Sequence, residues 1–509
     1  MKTIRWFTLA GLACWLAPCA LPQSLPNLPL VRLAYTVKKR TVNPQGELKE
    51  KIDANDRALN AATRTGNQAE VRRLLAEGMT LLNGEAWTDQ LDYANSLALR
   101  ADHVFIDTSK PCALRLEQIY MPSISLENSL TTKVSLHKPG AGRGGAPGEL
   151  VKELATFDEV SRDLRESPFL MELDLSSVAD GAYQMQADVF DGSKLLGSAG
   201  LRVTLKKDLD AKLAQLEKDA GSLPEALRAD ALYPIDFVHN VNRARIDTGA
   251  FEIGQEIATA NEIVAAAKAG KDPFAGRTGD FKRHYVLKSA AEIMPYRLYI
   301  PANYDGRRAF PLIVALHGLG GTEDSMFGKT YGMLPEAEKR GYILVAPLGY
   351  RVDGGYGRVT GGVRRAQLSE DDVLEVLARV RKAYRIDDDR IYLMGHSLGG
   401  IGTWTLGAKH PEIWAALGPI AGTASPKTVE AMRRIPEIVV HGDADTVVPV
   451  DGSRNMVAEM RKLDVDVKYI EVPGGSHTSI AGPNMPALFD FFDTHKKHRE
   501  SPSAGNAAR

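Results

Sequence analysis

"RIYLMGHSLGGIGTW", Arg390–Trp404, is the stretch on which the reading of this chain turns. An apolar run from Ile391 to Met394 stops on Gly-His-Ser-Leu-Gly, and a helix-compatible pattern follows. A buried strand that breaks on a serine fenced by glycines predicts a sharp strand-to-helix turn. Gly395 and Gly399 lack a Cβ, so the turn can tighten and lift the Ser397 hydroxyl clear of the backbone. The helix after it would aim free N–H groups and its positive end at the same spot.

The same rhythm extends outward. "MPYRLYIP", "PLIVALHG", "YILVAPLG", "EIVVHGDAD" and "DVKYIEVPGG" read as further strands. Helical stretches such as "DDVLEVLARVRKAY" and "GSRNMVAEMRKL" separate several of them. Over residues 280–497 this predicts an α/β domain, a mainly parallel sheet covered by helices. Ligands in such sheets sit beyond the carboxyl ends of the strands. Three of these strands end in reactive side chains: Ser397, the pair Asp443 and Asp445, and His477. A serine hydroxyl is a weak nucleophile at neutral pH. It needs an adjacent base, and the base needs an orienting carboxylate. Charge developing on a carbonyl oxygen needs at least two donors. The backbone N–H of Leu398 is one candidate. The other is the N–H of Leu319, with Gly318 as the alternative, in the loop after "LIVALHG".

Four segments, "ALHGLGG", "DRIYLMGHSLGGIGTW", "HGDADTVVP" and "GGSHT", give this block a resemblance to the α/β-hydrolase family. More narrowly it is similar to secreted bacterial esterases of the feruloyl-esterase and polyhydroxyalkanoate-depolymerase type, and to their phospholipase/carboxylesterase relatives. The resemblance covers about 220 residues, the C-terminal part only. It implies a catalytic triad of Ser397, Asp445 and His477, since the family pattern HG-x-x-D-x-x-V-P places the acid at Asp445. Asp443 is then expected to brace the turn through backbone N–H groups. Several such esterases carry an N-terminal sandwich domain, in keeping with the strand pattern described below. Fold-level analogy of this kind fixes no substrate.

Tyr350 and Tyr356, in the glycine-rich loop Leu348–Gly362, are expected to line a pocket, and His396 to line it or pack beside it. His317 and His441 open HG turns and are expected to hydrogen-bond backbone. His284, His410, His495 and His498 read as surface residues, and Trp404 as core. Glu370, Asp371 and Asp372 read as caps at the start of a helix. No H-x-H or H-E-x-x-H spacing suggests a metal site, and no cofactor is expected.

The rest of the chain divides by texture. Residues 1–20 read as a signal peptide: Lys2 and Arg5, then an apolar stretch too short to span a bilayer, then small residues. Export to the periplasm or medium follows, and no transmembrane helix is expected. Residues 45–100 look helical. Short alternating segments over 103–207 predict a β-sandwich, immunoglobulin-like in architecture, with a tight turn at Asp191-Gly192. Within it, Pro139–Glu149 matches G-x-G-x-x-G through Gly140, Gly142 and Gly145. Prolines flank it and no helix opens, so a hairpin loop is expected rather than a dinucleotide site. Residues 208–275 read as a helical connector and 498–509 as a disordered tail.

Composition agrees with these divisions. At 509 residues the chain is too long for one core. Its net charge of −1 gives no field favouring nucleic acid or an anionic membrane. Of three cysteines, two lie in the leader, so Cys112 has no internal partner and is expected to be buried. The expected partner is a small-molecule or polysaccharide-linked ester, and nothing in the sequence sets an oligomeric state. A serine peptidase of the prolyl-oligopeptidase sort shares the triad order, but residues before 280 lack propeller repeats. An inert surface-binding protein and acyl transfer to a sugar are the further alternatives.

Overall fold

The computed structural model describes residues 28–497, except 125, 127, 128, 141–146, 244, 247–250, 360 and 361. The expected signal peptide, the tail and the tip of the Gly140–Gly145 loop therefore lie outside the described residues. The chain divides into two units. One holds Asp89–Ala211 and Phe237–Glu252; the other holds Pro26–Thr88, Lys212–Asp236 and the chain from Ile253 onward.

The second unit is built on an eight-stranded sheet: β1 (Gly279–Leu287), β2 (Glu292–Ile300), β3 (Phe310–Leu316), β4 (Ile343–Pro347), β5 (Ile386–His396), β6 (Ala416–Ile420), β7 (Glu437–Gly442) and β8 (Val467–Val472). Their order across the sheet is β8-β7-β6-β5-β3-β4-β2-β1. β3 to β8 pair in parallel, while β2 is antiparallel to both β4 and β1. The apolar runs are long because both faces are covered. In β3, Leu312, Val314 and Leu316 join one core and Ile313 and Ala315 the other. Helices α2 (Val363–Ala383), α3 (Leu398–Lys409) and α4 (Asp451–Lys462) feed the first core, through residues such as Val376, Trp404 and Met456. Helices α1 (Met333–Arg340) and α5 (Ala481–Thr494) feed the second, through Met333, Leu488 and Phe492. The chain leaves β3 for β4 on one side and returns to β5 on the other. The carboxyl ends of β3 and β5 thus meet at the point where strand order reverses.

Three further helices in this unit, Leu28–Val42, Gly46–Arg64 and Gln68–Leu82, share a core of Tyr35, Ile52, Val71, Leu74 and Leu75. Asn67 caps the third by accepting from the Glu70 N–H at 3.1 Å. The helical reading of 45–100 runs four residues too far. The last helix ends at Ser96, and Leu97–Ala101 is a strand. Its Ala and Leu content suits either state, and pairing with Cys112–Gln118 decides it.

In the first unit, Phe105–Asp107, Lys194–Lys206, Gly181–Asp191, Leu130–His137 and Leu150–Val160 form a five-stranded sheet in that order. Leu97–Ala101, Cys112–Gln118 and Phe169–Leu173 form a three-stranded one. Tyr183, Met185, Ala187 and Val189 are buried in alternation. The hairpin that follows turns on Gly192 and Ser193, with Gly192 at φ +59. The glycine-rich segment joins two antiparallel strands, His137 pairing with Leu150, and no helix follows it. Among the described residues no helix is long and apolar enough to cross a membrane.

Candidate active site

Close backbone packing builds the turn between β5 and α3. A Cβ on Gly395 would overlap the Gly399 backbone, and one on Gly399 would overlap the Leu316 carbonyl at the end of β3. The two glycines let α3 begin one residue after the strand ends. Ser397 carries the strain, at φ +60 and ψ −116, a region disfavoured for any residue with a side chain. Its N–H donates to the Ile420 carbonyl of β6 at 2.9 Å, which pins the turn.

Three side chains from separate loops meet there. The Ser397 hydroxyl donates to His477 Nε2 at 2.8 Å, and His477 Nδ1 donates to Asp445 Oδ2 at 2.7 Å. The second oxygen, Asp445 Oδ1, accepts the N–H groups of Val447 and Val448 at 2.8 and 2.9 Å. Burial pushes the Asp445 carboxyl upward. Hydrogen bonds from His441, His477 and the Val448 N–H outweigh that push and hold it well below the usual carboxylate range. Asp443 faces the other way, its Oδ1 accepting the Gly474 N–H at 2.6 Å.

Leu319 lies in the loop after β3, and Leu398 opens α3 directly after Ser397. Gly318 packs so closely that a Cβ there would lie 3.3 Å from the Ser397 Cβ. The neighbouring donors of the first loop are already used, Gly320 to the Val352 carbonyl and Gly321 to the Gly318 carbonyl. His317 is buried and holds the loop, with Nε2 2.7 Å from the Leu348 carbonyl. Burial keeps its pKa below the ordinary histidine value.

Several expectations are corrected. Tyr356 does not line a pocket. It is 1% exposed, its hydroxyl donates to the His317 carbonyl at 3.2 Å, and its ring fills the slot that Gly402 leaves on α3. Tyr350 is half-buried. Its N–H donates to Asp372 Oδ2 at 2.7 Å and its hydroxyl to Glu292 at 3.3 Å, and neither contact reaches the triad. Glu370 and Asp372 are not caps, because α2 begins at Val363. Asp372 is fully buried, accepts the Tyr285 hydroxyl at 2.5 Å, and is raised by burial to about 6. Glu370 receives Lys409 at 2.5 Å and His410 at 2.7 Å. His284 is no surface residue. Its side chain is 8% exposed and lies against buried Asp230. His498 falls outside the described residues.

Three contacts go beyond the sequence reading. His441, fully buried, bonds backbone as expected, Nε2 donating to the Val448 carbonyl at 2.9 Å, but it also lies 3.2 Å from Asp445 Oδ2. Arg40, from the N-terminal helices, donates to the Thr446 and Val447 carbonyls at 3.1 and 2.6 Å. His396 bonds both Tyr331 and the His477 backbone. The HG and HGxxD motifs hinted at the first; nothing local in sequence signals the other two. A cavity of about 890 Å³, lined by Trp414, Ile435, Pro436 and Lys496, opens at the amino ends of β6 and β7, away from the triad. Among the described residues no side-chain cluster is suited to a metal ion.

Residues 288–469 match the esterase family model, described as "Putative esterase". The chain is 30% identical over 170 residues to "Putative esterase NocK" of Nocardia uniformis subsp. tsuyamanensis, covering 32% of this chain and 48% of that protein. It is 33% identical over 130 residues to "Feruloyl esterase B" of Neurospora crassa, covering 25% of this chain and 43% of that one. The chain thus spans about half the length of the curated relatives it matches. A crystal structure titled as a thermostable esterase aligns with TM-score 0.38 and 17% identity, covering 76% of this chain and 96% of the other.

Proposed function

We propose that the protein is a serine carboxylic-ester hydrolase working through an acyl-enzyme, with Ser397 as nucleophile, His477 as general base and Asp445 as the group that orients it. The unbroken chain of hydrogen bonds from Ser397 through His477 to Asp445, at 2.8 and 2.7 Å, carries this reading. The esterase-family match over 288–469 supports it.

His477 Nε2 takes the Ser397 proton as Oγ attacks the ester carbonyl carbon. The tetrahedral oxygen gains its charge beside the Leu398 and Leu319 N–H groups. Losing one such donor costs about 3–4 kcal/mol of transition-state stabilisation. The C–O bond to the alcohol then breaks, and His477 returns its proton to the departing oxygen. Water, deprotonated by the same histidine, attacks the acyl-enzyme; the acyl–Oγ bond breaks, His477 returns the proton to Ser397 Oγ, and the acid is freed. The depressed Asp445 carboxyl stays ionised through the cycle and stabilises the imidazolium.

Short-chain and aryl esters of the feruloyl or acetyl kind are the substrate class. A relative is named a feruloyl esterase and another an acetylxylan esterase/xylanase, which favours plant-wall esters. The leader-like residues 1–20 favour export. The two sheets of the first unit, with the parallel pairing of Phe105–Asp107 against Thr204–Lys206, support reading it as a β-sandwich of immunoglobulin-like kind.

The test is a chain-length and aryl-ester panel run on wild type beside Ser397→Ala, with a dipeptide amide as comparison. Wild type should hydrolyse p-nitrophenyl acyl esters and the folded variant should lose nearly all turnover. Full activity in the variant, or a much faster rate on the amide, overturns the reading.

A further inference from the structure

His396 and Tyr331 lie beside the triad, and the hydrolytic cycle assigns neither a task. His396 is 5% exposed and directly precedes the nucleophile, yet both its ring nitrogens bond groups other than Ser397. Its Nε2 lies 2.7 Å from the backbone carbonyl of His477, and its Nδ1 lies 3.0 Å from the Tyr331 hydroxyl. The rings of His396 and His477 are 4.9 Å apart, centre to centre.

The chemistry of these partners fixes the proton. A carbonyl oxygen only accepts, so Nε2 carries the hydrogen. In the neutral ring Nδ1 is then an acceptor, and the Tyr331 hydroxyl donates to it. The arrangement needs an uncharged imidazole, and burial holds the pKa of His396 at about 4. The His477 carbonyl thus selects the tautomer, the Tyr331 hydroxyl satisfies Nδ1 and holds the ring, and the Nε2–H supplies one donor to the backbone of the residue that removes the Ser397 proton. The loop before His477 is tied at other points, Gly475 to Val472 and Ala444 among them, but the bond from His396 is the one at the His477 carbonyl itself. Gly474 is held by Asp443, and the Ser476 N–H by Ser479 Oγ at 2.9 Å.

We infer that His396, in its Nε2–H tautomer and held in place by the Tyr331 hydroxyl, is a positioning residue that holds the backbone of His477 so that its ring meets Ser397. This rests on the esterase reading of the same site. A general base displaced by a fraction of an ångström loses rate and leaves ground-state binding nearly untouched.

His396→Ala, His396→Gln and Tyr331→Phe would be compared with wild type by p-nitrophenyl acetate kinetics, by the second-order rate of fluorophosphonate labelling of Ser397, and by thermal melting. Gln places an amide N–H near the position of Nε2–H, so it restores the donor. The expected pattern is a fall in kcat of about thirtyfold for His396→Ala with KM within about twofold. The labelling rate should fall in step. His396→Gln should recover most of the loss, and Tyr331→Phe should lose about three- to tenfold because the hydrogen bond that holds the His396 ring is gone. Should His396→Ala melt early, Tyr331→Phe, which removes only a hydroxyl, decides. An active wild type with kcat unchanged in both His396→Ala and Tyr331→Phe overturns the positioning role alone. Equal losses in Ala and Gln variants overturn it too. A wild type that neither hydrolyses esters nor reacts with the fluorophosphonate overturns the esterase reading and this role with it.

Discussion

At the scale of single residues, two carboxyls have been pushed in opposite directions, and each makes a prediction. Asp445 is ionised because donors surround it. Asp445→Asn keeps the shape but puts an amide N–H or the wrong acceptor against His477, so the imidazole tautomer is no longer set. A drop in kcat of about 10⁴-fold with little change in melting temperature is expected. An active Asn variant would remove Asp445 from the triad. Glu437 is the reverse case. It is fully buried on β7, accepts the Trp404 indole N–H at 2.7 Å, and is raised by burial to about 8 from an ordinary 4.5. Below the ordinary value both folded and unfolded chains hold the proton, so nothing is lost. Between 4.5 and about 8 the unfolded chain gives it up and the folded one does not, so stability declines, levelling off above about 8. Gln at 437 keeps the acceptor for Trp404 without the charge. Its melting temperature should gain on wild type as pH rises from 5 toward 9; a constant difference across that range would refute the assignment.

At the scale of elements, the β5–α3 turn works because helix and strand backbones nearly touch. Gly399→Ala forces a methyl group against the Leu316 carbonyl, so β3 or α3 must move. A loss of about 2–4 kcal/mol in chemical denaturation is expected, with activity falling together with it. A fully stable, active Ala variant would mean that the close approach is not required. Such turns are legible in sequence because each is a short string with one geometric consequence: glycine where no Cβ fits, an apolar run before it, a reactive side chain at the strand's carboxyl end. Ser397, Asp445 and His477 all announce themselves this way. Tyr356 does not. Its glycine-rich neighbourhood looks like a surface loop, and the missing side chains of Gly349 and of Gly402, far along the chain, make room for the ring inside. Asp372 was misplaced for a similar reason. The polar run before it reads as loop, whereas α2 already starts at Val363 and carries Asp372 inward to Tyr285. His396 sits beside the nucleophile in sequence, but its partners lie 65 and 81 residues away.

At the scale of the whole molecule, the described residues of both units rest on burial, with no disulfide among them. Cys112 is the free thiol among the described residues. It is 6% exposed in the first unit, and burial pushes its pKa up to about 12. Reductant should therefore leave the melting curve unchanged. A neutral thiol reagent should leave the native protein unmodified and label Cys112 only when the first unit opens. Thiol reactivity against temperature would then report that unit, while ester turnover reports the other. Rapid labelling of the native protein would contradict the burial. The division between units was partly legible. Alternating periods mark the strands, but the helical stretch 208–275 gives no sign that Lys212–Asp236 groups with the sheet of eight strands and Phe237–Glu252 with the other unit.

The left-handed backbone at Ser397 sets robustness against reactivity at one position. A residue with a Cβ is held there at a cost of order 1–3 kcal/mol. Glycine adopts that conformation freely, so Ser397→Gly should yield a catalytically dead protein that melts at the same temperature as wild type or above it. Selection for thermal endurance alone would erase the nucleophile, and only selection for turnover keeps the less comfortable residue in place.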